Sequence, residues 1–370
     1  MTVIGIILLL IVIFIVYVEF KPVKKIKKKE ELINSLSVPE FPKEIKKYFV
    51  IAHVHTQFSF DSLGKPSDIK KAVEENGIDF VFITDHNNMD YKHFEDEKIF
   101  AGIEKNTDDG RLLLLGGELP VISHPNNFEF EHYKWKGEFK KDYLYEIVIP
   151  KDAIVWSKKK TLAVLLKNIF LFPFKRNLVH KWNSLIPMEK WMDLYFSRAR
   201  GENLIGGLDL HIKVVYQEHT HGLLIPSYIG GFKWIQNHVY SKKELKTKED
   251  VLECLKNGNL YVTIDYSLKD ETKRNSAEIF GKYNNETFIL GENVPIGTEI
   301  YCKFKRKKAV KILKHENSPE IITENNEFSY KIQKNGFYHL EMFEYDFKIG
   351  SYYFGFRPIF ISNFFKAGEQ

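Results

Sequence analysis

Three times along this chain an apolar run ends in histidine or aspartate, and that recurrence restricts the fold more than any other feature. Lys47-Tyr48-Phe49-Val50-Ile51 leads into His53-Val54-His55, Phe80-Val81-Phe82-Ile83-Thr84 into Asp85-His86, and Leu204-Ile205-Gly206-Gly207-Leu208 into Asp209-Leu210-His211. Such apolar runs predict buried strands. Between the first two, Pro66 opens and Gly77 closes a predicted helix, with proline just inside the start and glycine just past the end. A further strand, Leu112 to Leu115, runs into Gly116-Gly117-Glu118. Strand, helix and strand at these intervals predict parallel βα units, hence a barrel or a doubly wound sheet. Barrel enzymes place their catalytic groups at the C-terminal ends of the strands, where these polar residues stand.

His53 and His55 lie two apart on a predicted strand, so both imidazoles project from one face. Taken alone, the pair reads equally well as two core histidines bonded to backbone carbonyls. Its company decides the matter. His86 ends the second strand, Glu118 the third, and Asp209 and His211 repeat the two-apart spacing, while Asp61 sits in a turn-like segment six residues after His55. Imidazoles and carboxylates gathered at several strand ends form a ligand set for Zn, Mn or Fe. Buried without a cation, they would be costly. A second HxH, His219-Thr220-His221, has no strand before it and reads as a loop beside the mouth of the site. No G-x-S-x-G segment or Cys/His arrangement suggests a protein nucleophile.

The order of these segments resembles the PHP (polymerase and histidinol phosphatase) family, whose members open with HxH, continue with a T-D-H strand end and a glutamate after a glycine pair, and close with D-x-H. The resemblance covers about residues 48–265 and includes Leu255-Lys256-Asn257-Gly258-Asn259-Leu260-Tyr261-Val262, similar to a GRxYV segment of some members. Arg357-Pro358-Ile359-Phe360-Ile361-Ser362-Asn363 resembles the RPxxxSN string of a branch with a C-terminal β-sandwich. The family implies an α/β fold, a distorted (β/α)7 barrel with two or three divalent metal ions. The implied ligands are His53, His55, Asp61, His86, Glu118, Asp209 and His211, with Asp85 orienting a ligand from behind. His124, in the dipeptide His124-Pro125, fills a further histidine position, for which His180 is the alternative.

The chemistry then expected is hydrolysis by a metal-bound water. Three carboxylates (Asp61, Glu118, Asp209) against two divalent ions leave a net charge of about +1, which suits an anionic phosphoester. A carboxyl or carbamate ester, or a binding module that keeps metal without turnover, are the other readings.

The N-terminus supplies the last constraint. Val3 to Val18 is apolar without interruption, and with Met1 and Thr2 would form a helix of roughly 27 Å, close to the about 30 Å of a bilayer core. Lysines follow the run (Lys21, Lys24, Lys25, Lys27, Lys28, Lys29) instead of preceding it, and no small-residue cleavage site appears, so an uncleaved transmembrane anchor is preferred to a signal peptide. The same lysines predict a cytoplasmic catalytic part held near anionic lipid. Outside them the charge of +5 is nearly balanced, which gives no sign of nucleic-acid binding. Cys254 and Cys302 form neither a disulfide framework nor a metal spacing. The expected organisation is an anchor (1–20), a basic tether (21–46), a metallohydrolase domain (47–268) and an antiparallel β-sandwich (269–370). Residues 158–176, apolar with basic ends, read first as a core-packed helix, with an interfacial membrane segment as the alternative.

Overall fold

The computed structural model describes all residues except 1–2, 35–36, 128, 132, 176–178, 200, 217–222, 265–276, 307 and 369–370. Helix α1 (Val3–Phe20) has no buried residue and a mean hydropathy of 3.1. Among the described residues it is the one helix long and apolar enough to cross a membrane, a criterion that a signal sequence also meets.

The segment expected as a tether is instead laid along the C-terminal strands. Strand β1 (Val23–Lys25) pairs antiparallel with β22 (Tyr352–Phe354), and Lys29 and Ile322 exchange backbone hydrogen bonds. Ile26 and Ile45 are buried. Several of its lysines face protein carboxylates: Lys24 meets Glu189 at 2.7 Å and Lys28 meets Glu324 at 3.2 Å. The run is therefore a docked strap, and only part of its charge is left for lipid.

The first core grows from β2 (Lys46–Val54), which passes from exposed lysines to fully buried residues. Helix α2 (Pro66–Asn76) crosses over to β3 (Phe80–His86) in parallel, and Gly77 ends it at φ 57°. All seven residues of β3 are buried, as expected of a strand covered on both faces. Strand β4 (Ile99–Thr107) adds in parallel, but β5 (Gly110–Leu115) and β6 (Leu119–Ile122) follow as antiparallel neighbours with no helix between them. Strand β7 (Leu144–Val148) returns to parallel pairing. Helices α3 (Pro150–Trp156), α4 (Lys158–Leu171) and α5 (Met188–Arg198) lead to β8 (Leu204–Gly206).

Beyond β8 the chain meets β2 again: Leu208 N donates to Ala52 O, and His55 N donates to Leu210 O. A hairpin of β9 (Val214–Tyr216) and β10 (Leu223–Ile225) and a helical turn α6 (Tyr228–Gly231) precede β11 (Ile235–Ser241). Helix α7 (Lys248–Asn257) and β12 (Leu260–Ile264) complete the region, with β11 and β12 antiparallel on the far side of β2. Strands β2–β8 thus form a mixed sheet that returns to β2, and the regular alternation of a (β/α)7 barrel is interrupted within it. The β4–β5–β6 meander is the reason, since it reverses direction without crossovers.

The C-terminal region is antiparallel apart from one short parallel pair at its edge, as the alternating sequence predicts, but it does not stand apart. Strands β13 (Ala277–Tyr283), β14 (Glu286–Phe288), β16 (Glu299–Phe304) and β19 (Glu327–Lys331) form one four-stranded sheet. Strands β15 (Asn293–Val294), β17 (Ala309–His315), β18 (Ser318–Thr323), β20 (Gly336–Glu344), β23 (Arg357–Ser362) and β24 (Phe365–Ala367) extend the main sheet, because β23 pairs with β12. A short β21 (Phe347–Ile349) joins β22 and β1. Ile279, Cys302, Leu340 and Phe360 lie in the second core that the two sheets enclose. Asn363 locks the regions together, accepting from Leu204 N at 2.6 Å and donating to Leu204 O at 2.8 Å.

Candidate metal centre

Three of the residues at the centre hold backbone conformations that side chains other than glycine rarely adopt. His53 has φ 61°, His124 φ 52° and Asp209 φ 47°. Each costs of order 1–3 kcal/mol, and such strain persists only where the surroundings over-determine it. At His53 it accompanies a register break between Ile51 and Val54, which turns the two histidines toward a common point instead of leaving them on one regular face.

The donor atoms converge. His53 Nε2 lies 3.6 Å from Glu104 Oε2 and 3.5 Å from Asp209 Oδ1; His55 Nε2 is 3.4 Å from each of the same oxygens. His124 Nε2 is 3.6 Å from Glu104 Oε1 and 3.7 Å from Asp209 Oδ2. Beside this group, His211 Nε2 is 3.2 Å from Asp61 Oδ2 and His86 Nε2 3.5 Å from Asp61 Oδ1. Two sets, His53/His55/Glu104/Asp209 and His55/His86/His211, have donor atoms all within 4.8 Å of one another.

The outer nitrogens of four of the five rings are held, while His86 Nδ1 faces Glu104 at 3.0 Å and Arg111 at 3.2 Å. His53 Nδ1 donates to Glu146 at 2.7 Å, His124 Nδ1 to Asp152 at 2.9 Å, and His211 Nδ1 to Asp209 O at 3.1 Å. Asp85 accepts from Thr56 N, Thr56 Oγ1 and Ser59 Oγ. With its proton given to Asp85, Ser59 Oγ accepts from His55 Nδ1 at 3.1 Å and from His86 N at 3.0 Å. Asp85 thus sits behind His55, through Ser59. Fixing Nδ1–H leaves Nε2 as a lone-pair donor pointing inward.

Those inward atoms have no hydrogen-bond partner: Nε2 of His53, His55, His124 and His211, both carboxylate oxygens of Glu104 and of Asp209, and Asp61 Oδ1. Buried polar atoms left unpaired are rare and costly. Divalent cations would satisfy them, and the nitrogen and oxygen donors are of the type that Zn, Mn and Fe accept. With no cation bound, protons on the imidazoles balance the carboxylates instead. Burial would depress the His53 imidazole, but Glu146, Glu104 and Asp209 outweigh it and push it up to about 10. Burial and the neighbouring His211 push His55 down to about 3. Against their burial, the surrounding imidazoles hold Glu104 and Asp209 well below the usual carboxylate range. The carboxylates are thus placed to face positive charge.

The structure brings His53, His55, Asp61, His86, His124, Asp209 and His211 together, with Asp85 behind them, and leaves Glu118 out. Glu118 lies in the β5–β6 turn, its side chain 64% exposed and 3.2 Å from Lys248. Strand β5 runs antiparallel to β4, so its end points away from the face where β2 and β3 finish. The carboxylate at the centre is Glu104, on β4, directly opposite His86 in the parallel register. Its signal was present in Ile99-Phe100-Ala101-Gly102-Ile103-Glu104, an apolar run ending in a carboxylate. His180 is elsewhere, 3.4 Å from Glu19 of α1. The loop reading of His219 and His221 falls outside the described residues.

Sequence reading also missed Glu146 and Asp152 behind the rings, and two cations at the edge. Glu146 lies so close to Gly207 that a Cβ there would meet its Oε1 at 1.5 Å, which explains the glycine before Leu208-Asp209. Arg111 is 3.0 Å from Glu104 and Lys151 3.3 Å from Asp209; both also lie over the Tyr133 ring. Burial would lower the Lys151 ammonium pKa, but Asp209 outweighs it and raises it. Phe60, 85% exposed, stacks on His86.

No curated protein matches the chain. Among solved structures, it is similar to a two-domain protein from Bacteroides vulgatus containing a predicted PHP-like metal-dependent phosphoesterase. Identity is 12% and the TM-score 0.31, over 83% of this chain and 93% of that one, a likeness too low to bear on the site. The family model described as "PHP domain" matches residues 52–290, more than half of the chain, and contains every converging residue named above. Family and donor set together support a metal-dependent hydrolase. The chain belongs to the PHP domain family.

Proposed function

We propose that the protein is a phosphoesterase acting on a small anionic phosphoester, anchored by α1 with its hydrolytic part on the cytoplasmic side. The observation that carries the reading is the cluster of unpaired inward donors bordered by two cations, Arg111 and Lys151. His53, His55, His124, Glu104 and Asp209 would hold one ion, and His86, His211 and Asp61 would help to hold a second. When bound, such ions supply Lewis acidity, polarising a phosphoryl oxygen and lowering the pKa of water. Three donor carboxylates against two divalent ions leave about +1; Arg111 and Lys151 offset Glu146 and Asp152 behind the rings, so the site keeps about +1 with its two cations at the edge, a field that draws an anion. In this reading the two side chains would take phosphoryl oxygens, with arginine able to bind two at once. A neutral ester gains little from them.

The test is metal analysis of the purified protein together with turnover of aryl phosphate, aryl phosphodiester and aryl acetate. Phosphate or phosphodiester hydrolysis that disappears with bound metal in His53→Ala is the expected result. Turnover of the acetate alone would make the protein an ester hydrolase. Bound metal with no turnover at all would make it a binding module. A C-terminal reporter fusion active only outside the cytoplasm would overturn the orientation, which the lysines after α1 support.

A further inference from the structure

Helix α4 wears its polarity inside out for a helix in water. The residues it buries are Val164, Lys167 and Asn168. Lys167 Nζ reaches Glu19 Oε2 of α1 at 2.9 Å, and Asn168 Nδ2 donates to His180 O at 3.2 Å. Its outward residues are Leu162, Leu165, Leu166, Ile169 and Phe170, between 39% and 58% exposed, and Phe174 just beyond is 86% exposed. Exposed apolar patches of this kind on soluble proteins mark a surface that something covers. The reading of this segment as a core-packed helix holds only for Val164: the rest of its buried face is a lysine and an asparagine, and it shows its leucines.

The neighbourhood identifies the covering medium. Helix α1 packs beside α4, and Glu19 in its last turn is clamped by Lys167, Lys175 and Lys181. The outward face of α4 thus sits at the base of a helix that is apolar from Val3 to Val18 and buries none of its residues. Lys159 and Lys160 at one end and Lys175 beyond the other frame the apolar face. At 14 residues, roughly 21 Å, the helix is too short to span and of the right character to lie in the headgroup–acyl boundary.

We propose that α4 and the following Phe172-Pro173-Phe174 form a second membrane contact, lying in the bilayer interface beside α1. The inference rests on α1 being a span. One residue, Ser157, separates α4 from α3, which carries Lys151 and Asp152, so the contact ties one wall of the metal centre to the membrane surface.

The test uses the full chain in vesicles of phosphatidylcholine with phosphatidylglycerol. Single cysteines at Leu166, Phe170 and Phe174, at Leu10 in α1 and at exposed Ile349 carry a polarity-sensitive fluorophore; the native Cys254 and Cys302 are buried. Bound metal equal to that of the unmodified protein reports an intact fold. Expected are blue-shifted emission at 166, 170 and 174, quenching by lipid-borne nitroxide and shielding from iodide, with 349 open to iodide. Iodide access at the three positions while the Leu10 probe is quenched by lipid overturns the proposal and leaves the span standing. Shielding from both quenchers assigns the face to a protein partner and equally overturns it. Iodide access at position 10 removes the span, and the proposal with it.

Discussion

The sheet that runs through this molecule treats buried polar groups in opposite ways in its two halves. Around β2, β3, β4 and the Leu208–His211 segment, buried imidazoles and carboxylates are secured on their outer atoms and left open on their inner ones. In the C-terminal half, buried charge is mostly consumed locally. Lys311 donates to Arg306 O, Glu324 O and Asn326 Oδ1, and Lys314 meets Glu341 at 2.7 Å. That half also holds two buried unpaired atoms, His339 Nδ1 and Glu341 Oε2, on side chains that meet each other at 3.1 Å, but no third donor group joins them among the described residues. Convergence of unpaired atoms separates a site from a structural ion pair; burial of charge alone does not.

The contrast can be broken most sharply by a pair of glutamates. Glu104→Gln is expected to abolish metal binding and hydrolysis, exceeding the roughly 10–100-fold losses that partners behind ligands produce. Glu118→Gln should leave both unchanged, and equal losses in the two variants would return Glu118 to the site. Next comes the C-terminal ion pair. Lys314→Met strands Glu341 in the core, which should lower unfolding free energy by about 3–5 kcal/mol in denaturant titration. Metal content should stay the same, and a stability loss within experimental error would mean that the pair is solvated.

A third test probes the ring supports. Glu146→Gln should weaken metal affinity by roughly 10–100-fold, read by competition with a chelator, because His53 loses its carboxylate acceptor. Unaltered affinity would show that the ring needs no such partner. The smallest effect concerns the strap. Burial would raise the Glu324 carboxyl, but Lys348, Tyr345 and Lys28 hold it at about 2. A carboxylate depressed in the folded state stabilises it above the ordinary value of 4.5, and that contribution fades as pH falls toward about 2. Amide exchange in residues 23–34 should therefore quicken over that window, and the added rate should vanish in Glu324→Gln. Exchange independent of pH once intrinsic rates are corrected would detach Lys28 from the account.

Much of the centre was legible because its chemistry is local. His53, His55, His86, Asp209 and His211 each end an apolar run, and a strand end is a one-dimensional signal. Helix α2 was legible for the same reason, from Pro66 and Gly77. Glu118 misled because Gly116-Gly117-Glu118 also follows an apolar run, and sequence gives no direction to a strand. The strap misled because its lysines read as solvated, while their partners Glu189 and Glu324 lie far along the chain.

By itself the sequence determined the kinds of donor, the strands that carry most of them, and the apolar helix at the N-terminus, because residue type and periodicity act over a few residues. Tertiary structure alone decided that Glu104 and not Glu118 faces the cluster, since that depends on β5 turning back on β4. It likewise decided which atoms stay unpaired, that Glu146 and Asp152 stand behind the rings, and that α4 turns its lysine inward. Each of these depends on which distant segment lies alongside.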